Sequence, residues 1–283
     1  MTESATAGQT SGEEAPAEVV HLESVGGVAT ITLDSPRNRN ALGVRLVEQL
    51  RQALADAERD PAVRAIVLTH TGTTFCAGAD LSEALARGAS VAEASAAGTA
   101  AMLDLIRAIA QSPTPVIARI DGHVRAGGLG LIGACDIVLA GPAASFALTE
   151  ARLGLAPSVI SVVLLAKMTA RSSGRYYLTG ERFGARAAQE CGLITTGCDD
   201  VAELDSELTR VLAGIGKASP QGLAASKALT TAGVLADLDR LGAQRASESA
   251  ELFGSEEARE GMAAFLGKRP PRWDLAAVTA DTQ

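Results

Sequence analysis

Aromatic side chains are scarce in this chain, with one Trp, two Tyr and five Phe among 283 residues. Recognition of nucleic acid by stacked bases has little material to work with. A net charge of -8 argues against a polyanion partner in general, although it leaves room for local basic clusters. The four cysteines, Cys76, Cys135, Cys191 and Cys198, form no C-x-x-C pair. A chain that can bury a large core does not need disulfides, so reduced thiols in a cytoplasmic protein are expected. The three histidines, His21, His70 and His123, share no ligand spacing with one another or with the cysteines, so no metal is expected. No stretch reaches the roughly 18 uninterrupted apolar residues of a membrane span. Residues 1–17, small and polar, lack the apolar run of a signal peptide and read as a disordered tail.

What remains is an ordinary globular composition, 47% apolar and 20% charged. "EVVHLESVGGVATITLDSP" reads as a hairpin of two β-rich runs around Gly26-Gly27. From Leu42 to Ala57 the residues Leu42, Leu46, Leu50, Ala53, Leu54 and Ala57 fall at helical spacing. "RAIVLTH", "PVIARI" and "CDIVLA" read as strands, and "VAEASAAGTAAMLDLIRAIAQ" as a long helix ended by Pro113 and Pro115. This alternation predicts α/β architecture for a core spanning 18–206. Four helical stretches without a strand then predict a helical region over 207–273: "ELTRVLAGIGKAS", "PQGLAASKALTTAG", "VLADLDRLGAQRASESAELFG" and "SEEAREGMAAFLGKR". A tail follows over 274–283.

Two loops share a design. In "TGTTFCAGADL" a strand runs into Ala77-Gly78-Ala79, with a helix start expected at Asp80-Leu81; in "IDGHVRAGGLGL" a strand runs into Ala126-Gly127-Gly128 and an apolar helix. Small residues admit a ligand close to the backbone, and a helix start presents unpaired N–H groups of partial positive charge. Two such donors aimed at one point would form an oxyanion hole. The second loop is ambiguous in isolation. Gly128, Gly130 and Gly133 also fit G-x-G-x-x-G, with Glu150 about 20 residues further on, as in a dinucleotide-binding turn.

Over nearly its whole length after the tail the chain resembles the crotonase (enoyl-CoA hydratase/isomerase) superfamily. The matching stretches, in order, are "SPRNRNAL", "FCAGADL", "DGHVRAGGLGLIGACDIVLA", "FALTEARLGLAP", "YLTGERFGARAAQECGLI" and "EEAREGMAAFLGKRPPRW". The resemblance resolves the glycine loop against the nucleotide. It implies a spiral of repeated ββα units with a helical C-terminal region used in trimer formation, and a homotrimer or dimer of trimers. It also implies a CoA thioester whose carbonyl is polarised between the N–H groups of Ala79 and Gly127. Arg37, Arg39, Ala41, Ala77 and Asp80 take the family's places around the adenine end of CoA. Phe265 and Lys268 match residues that usually reach in from a neighbouring subunit. No cofactor is expected beyond the CoA of the substrate.

The sequence departs from the family at the catalytic pair. Hydratases of this kind carry two glutamates; the first position is Gly130 here, and the second matches Glu150. Glu150 lies between apolar stretches where burial would raise its pKa, the alternative being a salt bridge to Arg152 or another arginine. His123 beside the turn is a weaker candidate, and a hydroxyl of Ser158 or Ser161 could hold a water. The resemblance thus implies a 2-enoyl-CoA hydratase with Glu150 as acid/base. The narrower likeness of "AGGLGLIGACDI" and "LTEARLGLAPSVIS" to a methylglutaconyl-CoA hydratase branch makes 3-methylglutaconyl-CoA one candidate substrate. The alternatives are a Δ3,Δ2-enoyl-CoA isomerase using Glu150 alone and a non-catalytic acyl-CoA binder. Arg125 either pairs with a distal carboxylate of the substrate or orders the loop by a salt bridge to Asp121 or Glu150. The pocket wall is expected from residues 81–106.

Overall fold

The structure, a computed structural model, describes residues 17–80 and 91–275. The expected N-terminal tail, the helix start at Leu81, the first ten residues of the pocket wall and most of the C-terminal tail lie outside the described residues.

Strands β1 (Val20–Val25) and β2 (Val28–Leu33) form the expected hairpin, with both glycines of the turn at positive φ. A 3₁₀ turn (Pro36–Asn38) leads to helix α1 (Val44–Arg59), which buries Leu46, Leu50, Ala53, Leu54 and Ala57. Leu42, expected in that helix, is held instead by a parallel bridge to Ala79, and the helix starts two residues later. Then follow β3 (Ala65–His70), β4 (Thr74–Cys76), α2 (Val91–Gln111), β5 (Val116–Ile120), β6 (His123–Arg125), α3 (Gly127–Ala134), β7 (Ile137–Ala140) and β8 (Ser145–Ala147). From β3 to β8 each turn of the chain thus places one strand in each of two sheets before the next helical segment. One sheet has the order β1-β2-β3-β5-β7-β10, with β10 at Thr196–Gly197, and the other β4-β6-β8-β9, with β9 at Phe183–Gly184. This mixed α/β fold with parallel sheets is the architecture the resemblance implies.

A second 3₁₀ turn (Glu150–Leu153) precedes α4 (Ser161–Lys167), α5 (Ala170–Thr179), β9 (Phe183–Gly184), α6 (Ala185–Glu190) and β10 (Thr196–Gly197). The long parallel strands bury both faces, as covered parallel strands do. Ile66, Val116, Ala118 and Val138 enter the main core, whereas Ala65, Ile117 and Leu139 pack with Leu204 of α7 (Val201–Ile215). The C-terminal region is helical, with one correction. The second and third expected helices are a single helix, α8 (Pro220–Phe253), which packs along α2 and is capped by the Ser219 side chain; α9 (Glu256–Leu266) follows.

Candidate active site

Strands β4, β6 and β8 are parallel neighbours, with Thr74 opposite His123 and His123 opposite Ser145. Parallel neighbours deliver the segments that follow them to the same end of a sheet. The three segments are Ala77-Gly78-Ala79, Ala126-Gly127 and Leu148-Thr149-Glu150. Strand register therefore gathers the proposed donors and the proposed carboxylate from positions more than seventy residues apart.

The first loop is fixed by its neighbour, the 36–42 segment. Ala77 N–H donates to Arg39 O (3.1 Å), Leu42 N–H to Gly78 O (2.7 Å) and Asp80 N–H to Leu42 O (3.3 Å). Asn38 Nδ2 reaches Asp80 Oδ2 (3.0 Å). Gly78 has φ +94. A Cβ added there would lie 2.8 Å from Ala126 Cβ and 3.6 Å from the Gly127 nitrogen, so the two loops touch. In the second loop Ala126 adopts φ 45, ψ -120, a costly backbone conformation for a residue with a side chain. That bend turns the chain abruptly from β6 into α3, whose first residue is Gly127. Neither the Ala79 nor the Gly127 N–H has a protein acceptor among the described residues. At the first position of a helix this is intrinsic.

Glu150 opens its 3₁₀ turn, which Gly154 closes at φ 71. Helix α9 rests on this turn so closely that a Cβ at Gly261 would lie 2.4 Å from Leu153 O, and one at Gly154 2.6 Å from the Glu257 carbonyl carbon. The residue as a whole is partly exposed, but its Oε2 is sealed from solvent and has no hydrogen-bond partner among the described residues. Burial pushes the carboxyl up to about 7, opposed by a hydrogen bond from its own backbone. No salt bridge to Glu150 forms among the described residues, and Arg152 Nε donates instead to Thr179 O (2.9 Å). The arrangement is a carboxyl raised toward neutrality by burial, at the same end of the sheet as two N–H groups with no protein acceptor among the described residues.

A family model described as enoyl-CoA hydratase/isomerase matches residues 23–275. The crystal structure of an enoyl-CoA hydratase from Mycobacterium avium is 55% identical and superposes with a TM-score of 0.85, over 91% of this chain and 99% of that one. Enoyl-CoA hydratase AKT6-1 of Alternaria alternata is 33% identical over 253 residues, 88% of this chain and 82% of that protein. The 1,2-epoxyphenylacetyl-CoA isomerase of Escherichia coli is 32% identical over 262 residues, 89% of this chain and 96% of that protein. The chain belongs to the enoyl-CoA hydratase/isomerase family.

In this enoyl-CoA hydratase/isomerase family member the space beside Gly130 is filled. A Cβ there would lie 2.6 Å from Ile160 Cγ2 and 3.1 Å from Met102 Sδ. The wall where a first glutamate would stand is thus buried and apolar. Ser161 Oγ donates to Ser158 O (2.5 Å), so that hydroxyl hydrogen is engaged by the chain and not offered to a water. Arg125 forms neither expected salt bridge. Its Nη1 donates to Val124 O (2.8 Å) and Ser145 O (2.6 Å), and its Nη2 to Ser145 Oγ (2.9 Å). Asp121 instead accepts from Ala143 N–H (2.9 Å). His123 Nδ1 lies 2.9 Å from the same Ser145 Oγ, and partial burial with nearby Arg125 and Arg182 lowers its pKa.

Ala41, Ala77 and Asp80 come together at the 36–42/77–80 junction, and Arg37 and Arg39 are exposed beside them. A cavity of about 270 Å³ there is lined by Asn38, Ala41, Arg45 and Asp80 among others. Phe265, at the end of α9, and Lys268 just beyond it are exposed. Sequence reasoning missed Asn40, which is fully buried at φ 52. Its side chain accepts from Ser35 N–H (2.6 Å) and donates to Thr74 O (2.8 Å) and Thr71 O (3.3 Å), pinning the segment. The signal was present, since Asn tolerates the left-handed region where bulkier residues do not. Sequence reasoning also missed Tyr177, whose hydroxyl is buried without a partner among the described residues and which the Glu150 charge reaches.

Proposed function

We propose that the protein hydrates a 2-enoyl-CoA thioester. Water adds to the β-carbon, electron density moves onto the thioester oxygen, and the N–H groups of Ala79 and Gly127 hold the enolate so formed. Donors fixed before the reaction stabilise that charge selectively in the transition state. Glu150 takes a proton from the attacking water and returns it to the α-carbon, so both added hydrogens derive from water and no cofactor beyond the substrate's CoA is needed. The carrying observation is the Glu150 carboxyl, sealed by burial and balanced near pH 7, where both protonation states are populated. Hydratase names among the relatives support this reading, and an isomerase name stands beside them at similar identity and coverage.

Arg37, Arg39, Ala41, Ala77 and Asp80 are assigned to the nucleotide end of CoA, as the cavity at their junction supports. Phe265 and Lys268 are assigned to a neighbouring subunit's site in a trimer or dimer of trimers. Because Arg125 is engaged by Ser145, nothing in its geometry favours a substrate with a distal carboxylate.

One observation favours a second reading, Δ3,Δ2-isomerisation. The apolar wall at Gly130 leaves a single carboxylate, and one carboxylate suffices to move a proton between two carbons. A panel of CoA thioesters separates the two. Loss of conjugated-thioester absorbance with crotonyl-CoA is expected for hydration; gain with a β,γ-unsaturated thioester and none of that loss would replace it by isomerisation. Binding without either change would leave a non-catalytic binder.

A further inference from the structure

Buried polar side-chain atoms in folded proteins almost always have hydrogen-bond partners, so neighbouring exceptions call for an explanation. Glu150 Oε2 and Tyr177 Oη are both buried without a partner among the described residues, and so is Nε of Arg245. They come from three elements. Tyr177 lies on α5, which packs on the 3₁₀ turn that carries Glu150. That contact is pinned by the Arg152 bond to Thr179 O and by Gly180, where a Cβ would lie 2.9 Å from Arg152 Nε. Arg245 lies on α8, its Nη1 paired with Glu248 (2.7 Å). The charges of Glu150 and Arg245 both act on the Tyr177 hydroxyl, which burial holds protonated well above the usual tyrosine range. The packing of α5 on that turn puts Tyr177 against the segment that carries Glu150, and neither buried polar atom has a partner among the described residues. A hydroxyl both donates and accepts, and so does water.

We propose that Tyr177 is a catalytic residue that makes the second hydrogen-bond contact to the attacking water, Glu150 making the first. The wall at Gly130, Ile160 and Met102 offers that water nothing, and Tyr177 supplies the missing polar contact from a different element. Held at two points, the water presents a lone pair to the β-carbon while one of its protons faces Glu150. This assignment rests on the hydratase reading. It also separates two kinds of chemistry in one site. Proton exchange at the α-carbon of a saturated thioester needs Glu150 and the two N–H donors but adds no water.

The test compares wild type with Tyr177→Phe, which removes the hydroxyl and keeps the ring. Thermal unfolding should be unchanged or slightly raised, because no protein hydrogen bond is lost. Hydration of crotonyl-CoA should fall at least about 10-fold in kcat, the scale of one neutral hydrogen bond made to a reacting group. Exchange of the α-hydrogens of butyryl-CoA in deuterated buffer should change by less than about 3-fold on the same scale. Unchanged hydration would overturn the proposal. So would an equal fall in both reactions, which would mean that Tyr177 acts only through Glu150. A wild type that exchanges α-hydrogens but hydrates no 2-enoyl-CoA would sink the hydratase reading itself, an outcome visible before any variant is made.

Discussion

A side chain cannot simply be restored at Gly130. Gly130→Glu would put a Cβ 2.6 Å from Ile160 Cγ2 and then drive a carboxylate into an apolar wall. Overpacking alone costs about 1–3 kcal/mol. The variant should unfold at lower denaturant and hydrate no faster; a stable, faster enzyme would show that the wall yields. Glu150→Gln makes the opposite trade. Turnover should drop at least about 10²-fold, as for loss of a general acid–base. Stability should move the other way, and its sign follows from the raised carboxyl. With the folded pKa at about 7 against an ordinary 4.5, the contribution of Glu150 to stability is fully present below about 4.5 and is lost as pH rises through 7. The neutral amide escapes that loss. Above pH 8 the Gln variant should be more stable by about 2–3 kcal/mol, and near pH 4.5 by little, as read by denaturant melts at the two pH values. Equal differences at both would remove burial as the cause. Glu150 was legible because it stands in a motif between apolar stretches. Tyr177 was not, because an aromatic residue in "YYLTG" reads as core until the fold packs its helix on the turn that carries Glu150 and buries its hydroxyl. The packing of Ile160 against Gly130 is likewise tertiary and leaves no local trace.

The elements best read from sequence are those long enough for their period to show. Strand β2 and helix α1 repeat their pattern over six residues or more, and β3 reads as a strand by its length and β-branching. Strands β4, β6 and β8, which set the site, are three residues each, too short for alternation to register. Their loops were found through small residues and motif likeness; their side-by-side placement was not. Helix α8 was divided at Gly233 because a glycine inside a helix costs about 1 kcal/mol and reads as punctuation. Tertiary packing overrides it, with Thr231, Val234 and Leu238 burying a continuous face. The same helix carries a buried cation that pins it to the core. Lys227 Nζ lies 2.7 Å from Asp136 Oδ2 and donates to Ile109 O (2.8 Å) and Thr114 O (3.0 Å). Removing one partner of such a pair leaves the other charge poorly solvated. Lys227→Met should cost about 3 kcal/mol, and the double variant with Asp136→Asn distinctly less than the sum of the single changes. Additive losses in a double-mutant cycle would mean that the pair contributes packing alone.

At the scale of the whole molecule, an acidic protein must hold a polyphosphate with the few cations it places locally. Arg37 and Arg39 are the sequence neighbours of Asn38, which lines the cavity, whereas Lys268 follows α9 near the C-terminal end of the sequence. Phe265 beside it is 68% exposed, Leu266 75% and Leu275 80%, apolar surface that a single chain leaves in water. In the proposed assembly a neighbouring subunit covering this end would bring Lys268 to a bound CoA, and nucleotide binding would then depend on assembly. Two variants separate charge from assembly. Lys268→Ala should raise KM for CoA thioesters about 5-fold, as for a solvent-screened charged contact, with less effect at high salt. It should leave the matching pantetheine thioester, which has no nucleotide, nearly unchanged, and should not alter the molecular mass in solution. Phe265→Asp places a charge in the apolar patch and should lower that mass, with the KM for CoA thioesters rising along with dissociation. If Lys268→Ala affected both thioesters equally, its role would be structural. If Phe265→Asp left mass and KM untouched, the C-terminal end would not be shared between subunits.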